Sequence, residues 1–166
     1  MDTVVTALSD YPEFVPVVAR WHFLEWGHTD PGGTLSGWTT GLARQAGADR
    51  IPGTLVAVEA GAPVGAVCLV KADMPGHEAV AALSPWIKGL YVDPAARRRG
   101  YGTLLMSRCE AWAAALGHDA LYLYTERGSG AERLYEHLGW HAFRHERYDG
   151  MDATVMRKGL GRSSAR

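Results

Sequence analysis

Residues 86–116 read WIKGLYVDPAARRRGYGTLLMSRCEAWAAAL, and the turn at 97–102, RRRGYG, decides how the chain is read. WIKGLYV (86–92) has the look of a strand. Leu105, Cys109, Trp112 and Leu116 recur at helical spacing, and Gly117 stands where a helix favours a left-handed cap. Three arginines and two glycines therefore lie where a strand gives way to a helix. Four amides at a helix start lack intrahelical partners, and the aligned peptide dipoles add about half a positive charge there. Gly100 and Gly102 let the backbone come close to a ligand because no Cβ intervenes. In isolation, RxxGxG reads best as a solvated turn. Between a buried-looking strand and an amphipathic helix, it reads better as a cradle for phosphates.

Outward from this junction the elements alternate. Upstream, Thr3–Leu8 reads as a strand. Phe14, Val17, Trp21 and Leu24 place a helix over Tyr11–Trp26, firm only from about Pro16. A weaker helix carries Leu35, Trp38 and Leu42 on one side, with Gly37 and Gly41 inside it. GTLVAVEA, GAP and VGAVCLVKA form a β-hairpin, and 73–85 is a loop. Downstream, LYLYT (121–125) is apolar on both faces, as suits a central strand. GAERLYEHLGW gives a short helix ending at Gly139, and strands at about 140–147 and 152–158 close the chain. The order β-α-α-β-β-β-α-β-α-β-β predicts an α/β or α+β fold around a mixed sheet.

At 166 residues the chain has the length of one domain with a full core, expected over 1–158 and followed by a flexible tail at 159–166. Its net charge of -1 offers no broad attraction to nucleic acid or to an acidic membrane, so functional positive charge must be local. No apolar run approaches the roughly 18 residues of a membrane span, and the start lacks a signal-peptide pattern. Cys68 and Cys109 read as small core residues. No histidine pair has metal-ligand spacing with a third ligand, so no metal is expected. A cytoplasmic protein, monomeric or homodimeric, is the expectation.

IKGLYVDPAARRRGYGTLLM resembles the acetyl-CoA motif of the GCN5-related N-acetyltransferases, the GNAT superfamily. Arg97, Gly100 and Gly102 match its signature, and the likeness extends from about Val4 to Lys158. The resemblance implies a mostly antiparallel twisted sheet with helices on both faces, splayed between the strands at 86–92 and 121–125 to admit acetyl-CoA. Leu90, Tyr91 and Val92 would line the pantetheine arm and polarise the thioester carbonyl. Amides of Arg98, Arg99, Gly100, Tyr101, Gly102 and Thr103 would hold the pyrophosphate, with Arg97 packing the turn or reaching the phosphates. Thr125 would border the far side, and Tyr135 would be the general acid on the leaving thiolate.

The implied reaction moves an acetyl group to a primary amine of a small molecule or peptide. Such an amine, with a pKa near 10.4, is neutral in only about one molecule in a few thousand at pH 7, so a proton acceptor is needed. Many relatives carry a glutamate on the strand equivalent to WIKGLYV; here there is none. Asp73 is the preferred base, ahead of His77, Glu78, Glu25 and His28. Trp26, His28 and Trp86 are placed on the acceptor side, with core packing the alternative for both tryptophans. The rival reading is a non-catalytic acyl-CoA sensor, which the missing strand carboxylate favours.

Overall fold

The computed structural model describes residues 2–161. Seven strands form one sheet in the order β1-β2-β3-β4-β5-β7-β6. Backbone contacts divide the chain into two compact units, one holding residues up to 69 with 89–109, the other 70–88 with 110 onward.

In the first unit, β1 (Thr3–Ala7) runs antiparallel to β2 (Gly53–Glu59), which runs antiparallel to β3 (Ala62–Val70). The β2–β3 hairpin closes through Ala60 and Gly61, both left-handed (φ 50° and 78°), matching the twist of the strands it joins. α1 (Val15–Trp26) begins after a short 3-10 turn over Pro12–Phe14, so the expected late start near Pro16 is observed. Its buried face differs from expectation. Val15, Val18, Ala19 and His22 are buried, whereas Val17 and Leu24 are exposed. The stripe at 14, 17, 21 and 24 followed residue size; the packed face is one residue round, where small side chains allow close approach. α2 (Leu35–Arg44) packs on α1 and is capped by Thr34, whose hydroxyl accepts Gly37 N–H at 3.1 Å.

β4 (Trp86–Val92) supplies residues to both units. In the second, Trp86 pairs with Tyr122 of β5 (Ala120–Glu126), the sheet's parallel pairing. β5 is antiparallel to β7 (Met151–Gly159), and β7 to β6 (His141–Tyr148), the sheet's edge. β6 is exposed along most of its length, and its register slips between Ala142 and Arg144, leaving Phe143 as a bulge. Leu121 and Leu123 are buried while Tyr122 and Tyr124 are half-buried, so β5 is less fully enclosed than its apolar composition suggested. Met74, Val80, Trp86 and Val155 form one buried cluster of this unit. Glu110, in α3 (Tyr101–Ala115), accepts from Trp140 Nε1 at 3.2 Å and Lys158 Nζ at 2.8 Å. α4 (Gly130–His137) opens with a capping box: Ser129 Oγ accepts Glu132 N–H at 3.1 Å, and Glu132 Oε2 accepts Gly128 N–H at 2.6 Å.

Gly159, the first residue of the expected tail, is the last of β7. Gly159 pairs with Ala120, and Leu160 N–H donates to Asp119 O at 2.7 Å. Residues 162–166 of that expectation lie outside the described ones.

Candidate active site

The turn after β4 is built by its own residues. Asp93 Oδ1 accepts Ala95 N–H at 2.9 Å and caps a 3-10 turn over Pro94–Ala96, while Asp93 N–H donates to Val64 O of β3. Arg98 (φ 63°) and Gly100 (φ 86°) are both left-handed, on either side of Arg99. Such alternation gathers amides into an anion-binding nest. Among the described residues, the amides of 98–103 donate to no protein acceptor, and Leu104 N–H is the first to bond, to Gly100 O at 3.0 Å. The space before them is open. A Cβ at Gly100 would meet nothing within 4 Å, and one at Gly102 would meet only Val92 Cγ2, at 3.9 Å. Protein packing does not require glycine at 102, so its bare backbone serves an approach from outside.

The three arginines divide their tasks. Arg97 Nε donates to Val92 O at 3.0 Å, and its guanidinium lies 5.5 Å from the Tyr91 ring centre. It packs the turn. Arg99 pairs with Glu59 of β2 at 2.7 Å and stacks over Tyr101. Tyr101, whose side chain is buried, hydrogen-bonds Glu59 as well; its hydroxyl, then Arg99, hold the Glu59 carboxyl below the usual range. Tyr101 therefore offers a ligand only its amide. Arg98 is exposed and makes no side-chain bond among the described residues.

Upstream in the same unit, Gly89 is left-handed (φ 66°) within β4, immediately before Leu90. A Cβ there would meet His22 Cε1 at 3.1 Å and Cys68 Sγ at 3.7 Å. Trp21 stacks on Tyr91 at 5.4 Å between ring centres, and Trp26 meets both Tyr91 (6.3 Å) and His22 (5.3 Å) edge to face.

In the second unit, Tyr135 on α4 is half-buried, 6.4 Å from the Trp140 ring, and its hydroxyl bonds no group among the described residues. Burial pushes its phenol up to about 12, so it stays protonated at neutral pH. Asp73 is buried; its Oδ1 accepts Met74 N–H at 2.9 Å and Lys88 Nζ at 3.4 Å. Burial, and then the Asp73 charge, push the Tyr124 phenol up, and Tyr148 moves the same way for the same reasons. His77 Nε2 lies 3.0 Å from Glu146, whose carboxyl His77 and Arg144 hold low. Thr125 Oγ1 lies 3.4 Å from Ser129 Oγ, beside the start of α4.

The model of the acetyltransferase (GNAT) family matches residues 8–140. The chain belongs to the GNAT acetyltransferase family. No curated protein matches it by sequence. Among solved structures it resembles Ard1 from Thermoplasma volcanium, with a TM-score of 0.71 and 19% identity over 96% of this chain and 99% of that one. It also resembles an aminoglycoside 6'-N-acetyltransferase complexed with coenzyme A (TM-score 0.73, 15% identity, 95% and 97% covered). A spermidine N-acetyltransferase from Vibrio cholerae, in complex with CoA and spermine, aligns with a TM-score of 0.71 at 16% identity, covering 96% of each chain. These likenesses establish the seven-stranded GNAT fold.

The cradle fits the pyrophosphate of a GNAT donor: donor amides, open space and one uncommitted arginine coincide at 98–103. Other expectations change. Trp86 is a core residue, not a substrate contact. It is fully buried, and its Nε1 donates to Leu83 O at 2.7 Å. Trp26 is half-buried against Tyr91, and His28 is exposed on the turn after α1. Among the described residues no helix is long and apolar enough to cross a membrane, and no group of three or more His, Cys, Asp or Glu could hold a metal. His22, buried beside Gly89, lies outside the helical stripe read from residue size.

Proposed function

We propose that this GNAT protein transfers the acetyl group of acetyl-CoA to a primary amine of a small molecule or peptide, in the cytoplasm. The observation that carries the reading is the open run of unbonded amides at 98–103, directly after β4. Bound there, acetyl-CoA supplies an activated thioester. The amides of Arg98–Thr103 and the Arg98 guanidinium hold its pyrophosphate, and backbone groups of Leu90–Val92 hold the pantetheine arm and polarise the acetyl carbonyl. Tyr135 protonates the leaving thiolate; a buried phenol with no acceptor bond keeps its proton to give. Thr125, beside the α4 cap, borders the donor on the β5 side. For the acceptor's proton two groups come forward, Asp73 through its Oδ2 and His22, taken up below. Aromatic Trp26 and exposed His28 are proposed to meet the acceptor. The 1–158 stretch is proposed to work as a single catalytic domain, alone or as a homodimer.

The test has two steps. Acetyl-CoA should raise the melting temperature, and thiol release from acetyl-CoA should accelerate with at least one class among aminoglycosides, polyamines, amino acids and peptides. No thermal shift refutes the donor assignment. A shift with no thiol release from any class leaves an acyl-CoA sensor instead.

A further inference from the structure

We propose that His22, on α1, is a catalytic residue of this site: the base that takes a proton from the ammonium of the acceptor, directly or through one water. The inference rests on the acetyltransferase reading above. Its ground is the juxtaposition of His22 with Gly89. The imidazole is buried, with Cε1 3.1 Å and Nε2 3.4 Å from the place a Cβ would occupy at Gly89. Any side chain at 89 would displace it. Gly89 is left-handed, and the next residue, Leu90, is the first of the three whose backbone groups are proposed to hold the pantetheine arm and polarise the acetyl carbonyl. The strand thus turns at the point where an imidazole meets it. WIKGLYV carries no carboxylate, so the strand itself has no base to offer; α1 brings one to it.

The surroundings suit a proton acceptor held in one place. Trp26 meets the imidazole edge to face at 5.3 Å, and Trp26 and Trp21 are in turn set against Tyr91. The titratable groups on the elements around His22 are Cys68 on β3, Lys88 and Tyr91 on β4, Arg44 on α2, His28 on the turn after α1, and Arg20 and Glu25 on α1 itself. Cys68 Sγ lies 3.7 Å from the same Cβ position at Gly89. An imidazole, with an ordinary pKa of about 6.5, can take up and release a proton near neutral pH.

The acceptor ammonium gives one proton to the imidazole, which becomes imidazolium and later passes it to solvent. The freed nitrogen pair forms the C–N bond, and the carbonyl π pair moves to oxygen. On collapse the carbonyl re-forms, the C–S bond breaks with its pair on sulfur, and the proton balance closes as the amide nitrogen loses its second proton and the thiolate gains one.

The experiment uses the full chain, the amine found active in the thiol-release screen, and acetyl-CoA. His22→Gln is expected to lower kcat/KM by roughly 100-fold or more while acetyl-CoA binding stays within about twofold. Wild-type kcat/KM should fall at acid pH through a limb that the variant lacks. His22→Ala, with an open space beside Gly89, should regain activity when free imidazole is added. The proposal is overturned if His22→Gln stays within about threefold of wild type, or if it keeps the same acid limb. Should His22→Gln fail to fold, absence of imidazole rescue in His22→Ala, or absence of an acid limb in the wild type, overturns it equally. A wild type that binds acetyl-CoA but transfers to no amine fails the functional reading, and the base assignment falls with it; an active wild type with an equally active variant fails the base alone.

Discussion

Gly102→Ala separates what the protein needs at the cradle from what a ligand needs. The added methyl would lie 3.9 Å from Val92 Cγ2, an ordinary contact, and Gly102 is the second residue of α3 without a left-handed φ. The unliganded protein should therefore lose no stability, and alanine in a helix gains up to about 1 kcal/mol over glycine. For a protein of this size that is an upward shift of up to about 2–4 °C in Tm. The liganded state should move the other way. On the proposed reading the methyl stands before amides that bind the pyrophosphate, and a hydrogen bond to a charged group contributes about 1.5–3 kcal/mol. Losing one weakens acetyl-CoA binding roughly 10- to 150-fold. Ligand at 100 times Kd raises stability by about 2.7 kcal/mol, so at a fixed concentration between about half and nearly all of the ligand-induced Tm shift should disappear. Differential scanning fluorimetry with and without acetyl-CoA reads both quantities on one sample. A variant with an unchanged ligand shift refutes the cradle. A variant with a lower unliganded Tm refutes the statement that packing leaves this position open.

Tyr135→Phe should lower kcat by about 10²–10⁴ with acetyl-CoA affinity unchanged, read by steady-state thiol release. Because the folded phenol is raised to about 12 from about 10 unfolded, its contribution to stability is complete below pH 10 and is lost as pH rises toward 12. The unfolding free energy of wild type should hence fall relative to that of Tyr135→Phe above pH 10, by about 1.4 kcal/mol per pH unit, in urea titrations; parallel curves contradict the burial of that hydroxyl. Arg98→Ala should weaken acetyl-CoA binding more than Arg99→Ala, with a loss that shrinks at high salt, since Arg99 is committed to Glu59; calorimetric titration at two ionic strengths decides. Trp86→Ala should cost about 3–5 kcal/mol in denaturant unfolding, through the core of its unit.

The strand-to-helix junction was legible because its signals are local. Turn residues, a helical period and bare glycines each act within a few positions, so β4, α3 and the cap at Gly117 (φ 90°) emerged close to their observed bounds. The hairpin, α4 and the last two strands were legible for the same reason. The buried face of α1 was not, because packing chose Val18, Ala19 and His22 for their fit and left Leu24 in solvent. Nor could spacing show that Trp86 would be buried, since an aromatic at a strand's start suits a core and a binding surface equally. Arg99 with Glu59 joins residues 40 positions apart, a pairing no local pattern encodes. The Gly89–His22 meeting is of that kind too: the glycine was visible, and its partner was a matter of tertiary packing.

β6 has a consequence for how the protein keeps its own company. It is a border strand whose outer backbone groups have no neighbouring strand within the sheet, which invites a second chain to extend it. Arg144, Glu146 and Arg147 crowd it with charge, and the bulge at Phe143 interrupts a straight row of donors and acceptors. A half-exposed phenylalanine is thereby tolerated at a margin where a flat, uncharged strand would nucleate clumping, so the chain can be crowded at synthesis without its sheets growing into one another.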